Sequence, residues 1–209
     1  TRAKRLGAVP ENVHLALEPG IIRLEPQGLA ILCAPLTQRN TYSDLTEIFN
    51  TWETPERLIR VGLARGSVQG VLPDDIDSAN PILPNRAEAA RLDYLALGDW
   101  HGTKQIDERT WYSGTPEPER FRNNGAGYAL IVDVPGPGEL PKVTPVETAR
   151  YQWHQWRETL TVESDLDQML ERLQALPESS VVDLRLEGAV TLAGEEKLID
   201  ALSVAEARF

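Results

Sequence analysis

Asp99 and His101 stand two residues apart just after Gly98, where the apolar stretch Leu92 to Leu97 ends. A carboxylate and an imidazole at this spacing project to the same side of an extended loop and can hold a metal ion together. The same spacing also suits a plainer arrangement, a loop carboxylate paired with a nearby imidazole. A second segment of this kind is Arg65-Gly66-Ser67, after the run Arg60 to Ala64, and a third is Tyr112 to Glu119, after Thr110-Trp111. Each follows an expected strand, and strand ends in α/β sheets are where ligand-binding loops gather. Three such loops predict one composite rim without specifying a reaction.

Several elements must position that rim. GIIRL and GLAILCAPL predict a pair of strands joined by a Pro and Gly turn. Residues 43–52 predict a helix, with Ser43 as N-cap, apolar residues at helical spacing and Pro55 blocking continuation. A strand at 60–64, a short helix at 85–92 and the strand entering Gly98 make a strand, loop, helix, strand unit. TWYSGT, GYALIVDV and KVTPVETARYQW predict successive strands in antiparallel pairs. Beyond about residue 150 the pattern changes to helix (ESDLDQMLERLQAL), strand (SSVVDLRLEGAV) and helix (AGEEKLIDALSVAEARF), a small α/β module with its own core. The expected division is therefore residues 1–150 and residues 151–209.

The 209 residues, 41% of them apolar, suffice for one sizeable core, or for one core and a smaller second. The longest apolar run, GLAILCAPL, falls far short of the roughly 18 residues of a membrane span, and TRAKRLGAVP lacks the apolar region of a signal peptide. A cytoplasmic protein that does not enter a membrane is expected. Cys33, alone in its apolar run, predicts a buried structural thiol, and His14, with no evident partner, a solvent-facing imidazole. The chain opens with Thr1 and reads as a piece lacking its amino-terminal part. Its net charge of −11 is unevenly spread: Lys and Arg against Asp and Glu number 8 to 7 over residues 1–70, 8 to 13 over 71–150 and 5 to 12 over 151–209. Nonspecific DNA binding draws on basic faces, so the last third is the least suited to it.

VGLARGSVQG, LDYLALGDWHG and WYSGTPEPERF, in that order, resemble the later motifs of the calcineurin-like metallophosphoesterases, specifically the SbcD-like DNA-repair exonuclease branch, over residues 8–209. The resemblance implies a two-layered β-sandwich flanked by helices for residues 1–150 and a small α/β capping module for 151–209. It also implies two divalent ions, usually manganese, that bind a scissile phosphate and activate water. His101 matches the last histidine of the family's Gly-His-x-His motif. Asp99 stands where the first histidine usually stands, and carboxylate oxygen is also a good manganese ligand. Both are the expected metal ligands and catalytic residues. Arg65 replaces a histidine ligand, and a guanidinium offers no lone pair to a metal. With Ser67 it is expected to grip the substrate phosphate instead, the plainer alternative being a surface arginine.

Ser113, Thr115 and Arg120 are further candidates to approach substrate, while Pro116 and Pro118 favour a turn role for the same loop. Trp153, His154, Trp156 and Arg157 suit stacking on single-stranded DNA, with core packing as the default for the two tryptophans. The family's earlier ligand motifs are not found in the sequence, so the isolated chain is expected to be inactive. The implied activity of the parent protein is a DNA exonuclease or endonuclease of repair that hydrolyses phosphodiester bonds. Its implied partners are DNA, an SbcC-type ATPase and a second copy of itself. Two other readings stay open: a phosphodiesterase for a small substrate on the same fold, and a non-catalytic binding or scaffold subunit, which Arg65 favours.

Overall fold

The computed structural model describes residue 7 and residues 9–71, 79–121 and 124–208. Six strands form one mixed sheet. β1 (Gly20–Leu24) and β2 (Leu29–Ala34) are the expected antiparallel pair, with Gly20 opposite Cys33 and Leu24 opposite Leu29. Their turn ends at Gly28, whose φ of 69° is a left-handed conformation that glycine adopts without strain. β3 (Ile59–Arg65), β6 (Tyr94–Gly98) and β8 (Thr110–Tyr112) then add in parallel to β2, and β7 (Lys104–Gln105) lies antiparallel to β8 at the edge.

Parallel neighbours cannot be joined by a tight turn, so each pair requires a crossover. The β2 to β3 crossover carries a 3-10 helix, Leu45–Asn50. The β3 to β6 crossover carries the short parallel pair β4 (Ser67–Val68) and β5 (Pro81–Ile82), then the helix Arg86–Ala89. Strand alternation sends Leu32, Ala34, Leu95, Leu97 and Tyr112 to the face that Phe49, Leu58, Ala87, Ala90 and Leu92 cover. Gly62 permits this packing, because a Cβ there would lie 2.7 Å from Leu92 Cδ1 and 2.8 Å from Leu95 Cδ1. The other face is more open and leaves Leu63 46% exposed.

One buried ion pair ties the two crossovers together. Arg86 and Asp44 meet at 2.7 Å with side chains only 2% and 12% exposed. The Asp44 carboxylate also accepts the amides of Thr46 at 2.8 Å and Leu83 at 3.0 Å and the hydroxyl of Thr46. Arg86 donates its other terminal nitrogen to Asn50 Oδ1 at 3.1 Å. The expected α-helix at 43–52 is therefore a tighter 3-10 turn capped by Asp44 rather than Ser43, since Asp44 caps the Thr46 amide while it holds Arg86.

β9 (Tyr128–Asp133) and β10 (Lys142–Glu147) form a separate antiparallel hairpin. β8 does not join it, contrary to the expected run of antiparallel pairs, because β8 is taken up by β6 and β7. The stretch read as one strand from Lys142 to Trp153 is two elements: the Thr148 and Ala149 amides turn back onto Gly127 O, and a new strand, β11 (Gln152–Leu160), begins after them. β11 pairs in parallel with β12 (Ser180–Gly188) through the helix Glu163–Gln174, and the helix Leu192–Arg208 follows. Leu160, Leu166, Met169 and Leu170 form a second core here, with Leu184, Leu186, Leu198 and Ala201 packed against it. It shares no residue with the first. Cys33 is buried and His14 is exposed, as expected. Among the described residues no helix is long and apolar enough to cross a membrane.

Burial pushes the Asp44 carboxyl upward, but hydrogen bonds from Thr46, Arg86 and Leu83 outweigh it and hold the group below its ordinary value. A carboxyl held low in the folded chain stabilises it fully above the unfolded value of roughly 3.9, and that contribution is lost as pH falls through the folded value. Asp44→Asn leaves the Arg86 cation buried without its carboxylate and is expected to lower the unfolding free energy by about 3 kcal/mol at neutral pH. Because asparagine does not titrate, the gap between the two proteins is expected to narrow below about pH 4. Urea denaturation at neutral and acid pH measures both effects; equal stabilities at neutral pH refute the anchoring role.

Candidate functional site

β3 and β6 run in parallel register from Val61 beside Tyr94 to Arg65 beside Gly98, so both strands end at the same level. β8 ends one position short of that level, with Tyr112 beside Leu97. The three loops singled out in the sequence therefore leave the sheet along one rim. Gly66, directly after β3, is held by its amide to Gly98 O at 3.2 Å, and a Cβ there would lie 2.3 Å from Asn80 O. Glycine at this position lets the chain pass against β5.

Tyr112 fixes the same loop from below. Its fully buried hydroxyl donates to Gly66 O at 2.6 Å and accepts the Val68 amide at 2.9 Å. Burial raises the phenol to about 12, the Val68 hydrogen bond opposes the rise, and the Asp99 carboxylate adds to it. Tyr112 is thus a neutral bracket under the rim at any ordinary pH.

On the rim, the two expected metal ligands have different partners. Asp99 Oδ1 accepts Arg65 Nε at 3.0 Å and lies 2.8 Å from Nη2, a charge-assisted contact that uses the side edge of the guanidinium fork. Asp99 also has φ 106°, a backbone conformation that costs a non-glycine residue roughly 1–3 kcal/mol and that clusters at functional sites. His101 Nδ1 instead lies 3.1 Å from Glu119 Oε2. The two expected ligands are thus paired separately, Asp99 with a guanidinium and His101 with a carboxylate.

The loop that carries them is tightly fastened. The Thr115 amide donates to His101 O at 2.9 Å, and the Thr103 hydroxyl to Ser113 O at 2.8 Å. A Cβ on Gly102 would lie 1.7 Å from Asn124 O, so only glycine passes there.

Of the four residues expected to form the site, Arg65 and Asp99 touch, His101 follows on the same loop, and Ser67 is buried at 6% exposure beneath them. Thr115 is spent on the turn through His101 O and Glu117 O, as the proline-flanked turn reading expected. Trp153 meets Phe121 edge-on at 4.8 Å, and Trp156 lies half-buried under Arg172 at 4.5 Å. Glu119 as a neighbour of His101 was not legible beforehand, because nothing in an 18-residue separation marks such a contact. Tyr112 was equally hidden, its alternation being that of any core strand.

A cavity of about 410 Å³ opens at the opposite end of these strands, among Glu53, Arg60, Arg91, Asp93 and Arg109. Arg60 there donates to the carbonyls of Trp52, Ala90 and Arg91 and to Thr54, and Asp93 accepts the amides of Arg60 and Gly138. These groups are saturated by backbone, which makes that cavity a structural junction. No family model matches the chain, and no curated protein matches it.

Tyr112→Phe removes the bracket while keeping the ring. It is expected to leave the buried Val68 amide unsatisfied, to lower stability by about 1–3 kcal/mol and to speed hydrogen exchange at Val68 over that of the β2 and β6 amides. Unchanged exchange at Val68 would show that the hydroxyl does not hold the loop.

Proposed function

We propose that this chain is part of a metal-dependent phosphodiesterase acting on DNA, an exonuclease or endonuclease of repair, and that it contributes the rim at the ends of β3, β6 and β8. One observation carries the reading: the in-register pairing of Arg65 with Gly98 brings a guanidinium, a carboxylate and an imidazole to the ends of adjacent parallel strands. Two further features support it. Glu119 lies 3.1 Å from His101 Nδ1, and carboxylates beside metal-binding imidazoles commonly orient the ring. The open face around Leu63 is where a second layer of a β-sandwich would pack, and the separate β11–β12 core suits a capping module. An ATPase partner and a cytoplasmic location belong to the same proposal.

The residues at the rim do not by themselves fit a two-ion centre. Among the described residues no group of three or more His, Cys, Asp or Glu could hold a metal, and Asp99 Oδ1 is taken by Arg65. Asp99 and His101 are therefore proposed as two ligands of a larger set, and no catalytic step is assigned to the ions. The same ion pair favours a second reading, a non-catalytic subunit that binds phosphate through Arg65.

Manganese titration calorimetry and hydrolysis of duplex DNA and a chromogenic phosphodiester, both on the full-length protein, separate the two. For the phosphodiesterase, His101→Ala is expected to weaken manganese binding at least about tenfold and to abolish hydrolysis. Arg65→His is expected to tighten manganese binding, since it releases Asp99, removes a repelling charge and adds an imidazole. For the binding subunit, manganese does not bind, and Arg65→Ala weakens DNA affinity. If none of the three variants changes manganese binding, hydrolysis or DNA affinity, the rim is not the site.

A further inference from the structure

β11 and β12 form a two-stranded parallel sheet, an arrangement that leaves both strands as edges. The bonding pattern shows which groups face outward. The Gln152 amide donates to Ser179 O and the Ala189 amide to Leu160 O. With Gln152 beside Ser180 and Leu160 beside Gly188, β12 therefore turns its odd-numbered peptide groups toward β11. Its even-numbered ones, at Val182, Leu184 and Leu186, point away from β11. Natural edges are commonly blunted by proline, charged side chains or a bulge; β12, SVVDLRLEG, has no proline and pairs with β11 without a bulge, and its central charges, Asp183 and Arg185, are of opposite sign.

The order of residues along β12 is self-complementary. If a second β12 lies antiparallel across a two-fold axis through Leu184, the partner positions are Leu184 with Leu184, Val182 with Leu186, and Asp183 with Arg185. The apolar pairs then share the face that carries Leu184 and Leu186 into the second core, and the charged pairs share the other face. The axis also agrees with the peptide groups: the even positions that point outward become the hydrogen-bonded pairs, giving about six bonds across the junction. Axes through Asp183 or Arg185 would set like charges against each other. Asp183 and Arg185, with side chains 25% and 62% exposed, lie 3.6 Å apart along the strand and Asp183 also accepts Gln155 Nε2 at 2.8 Å, so a cross-pair would replace the partner each now has. The other edge is less free: the Arg150 and Tyr151 amides leading into β11 donate to the Glu117 carboxylate, and Trp153 is covered by Phe121.

We infer that two copies of this chain join edge to edge through β12, in antiparallel register about Leu184, to make a four-stranded sheet β11-β12-β12-β11. The argument rests on β12 alone and is independent of the activity proposed for the rim.

Sedimentation equilibrium of the 209-residue chain across the micromolar range tests it. The expected result is a reversible dimer of twice the 23.2 kDa monomer mass. Asp183→Arg and Arg185→Asp, each alone, place like charges opposite each other twice and are expected to raise the dissociation constant at least about tenfold. The double swap Asp183→Arg/Arg185→Asp restores both cross-pairs and is expected to return it to within about threefold of the parent. Circular dichroism checks that each variant is folded. A chain that stays monomeric overturns the inference, and so does a dimer that the single swaps leave intact or that the double swap fails to restore.

Discussion

The close parallel pairing of β3 with β6 is the constraint on which the rest of the sheet depends. It is possible because residue 62 is glycine, which lets Leu92, Leu95 and Phe49 close over the strand. Two consequences follow. Parallel strands demand crossovers, and the crossovers must then be held against the sheet, which the Asp44–Arg86 pair does from one side. Parallel strands also bring equivalent ends to one level, which is why Arg65 arrives beside Gly98 and within reach of Asp99. The rim is thus a by-product of core packing some distance below it.

Three arginines show how the surroundings decide the role of one residue type. Arg86 is enclosed, so its charge requires a carboxylate, and Asp44 supplies it. Arg60 is half-enclosed; burial and the neighbouring Arg91 weaken its hold on a proton, Glu53 and Asp93 oppose this, and backbone carbonyls take up its donors. Arg65 keeps a 60% exposed side chain and spends only one edge of its fork on Asp99. Of the three it alone has guanidinium surface to offer a ligand, and it is the one on the rim.

Much of the sheet was legible because its strands are short apolar runs closed by glycine or proline, as GIIRL, RVGLA and LDYLALG are. The helices of the last third were legible from their apolar spacing. What failed did so for physical reasons. The 43–52 segment has helical spacing, but its geometry is set by a carboxylate whose main partner, Arg86, is 42 residues away. β11 reads QWHQWRETL, a strand whose inward positions mix aromatic, histidine and glutamate, so alternation of polar with apolar is blurred. The site was legible in position only. Arg65, Asp99 and His101 could be placed at strand ends, yet the contacts that define their chemistry, Arg65 with Asp99 and His101 with Glu119, depend on strand register and loop path rather than on spacing.

The charge distribution bears on how any polyanion could reach that rim. Residues 151–209 carry 5 basic against 12 acidic side chains, and residues 1–70 carry 8 against 7. At physiological ionic strength a surface charge acts over about 8 Å, so the acidic third does not cancel Arg65 at a distance but repels phosphate wherever it lies close. Basic side chains on that third are largely committed: Arg172 to Glu158 and the Trp156 ring, Lys197 to Asp167, Arg185 to Asp183. On charge alone, a polyanion near this chain meets less repulsion at residues 1–70 than at residues 151–209.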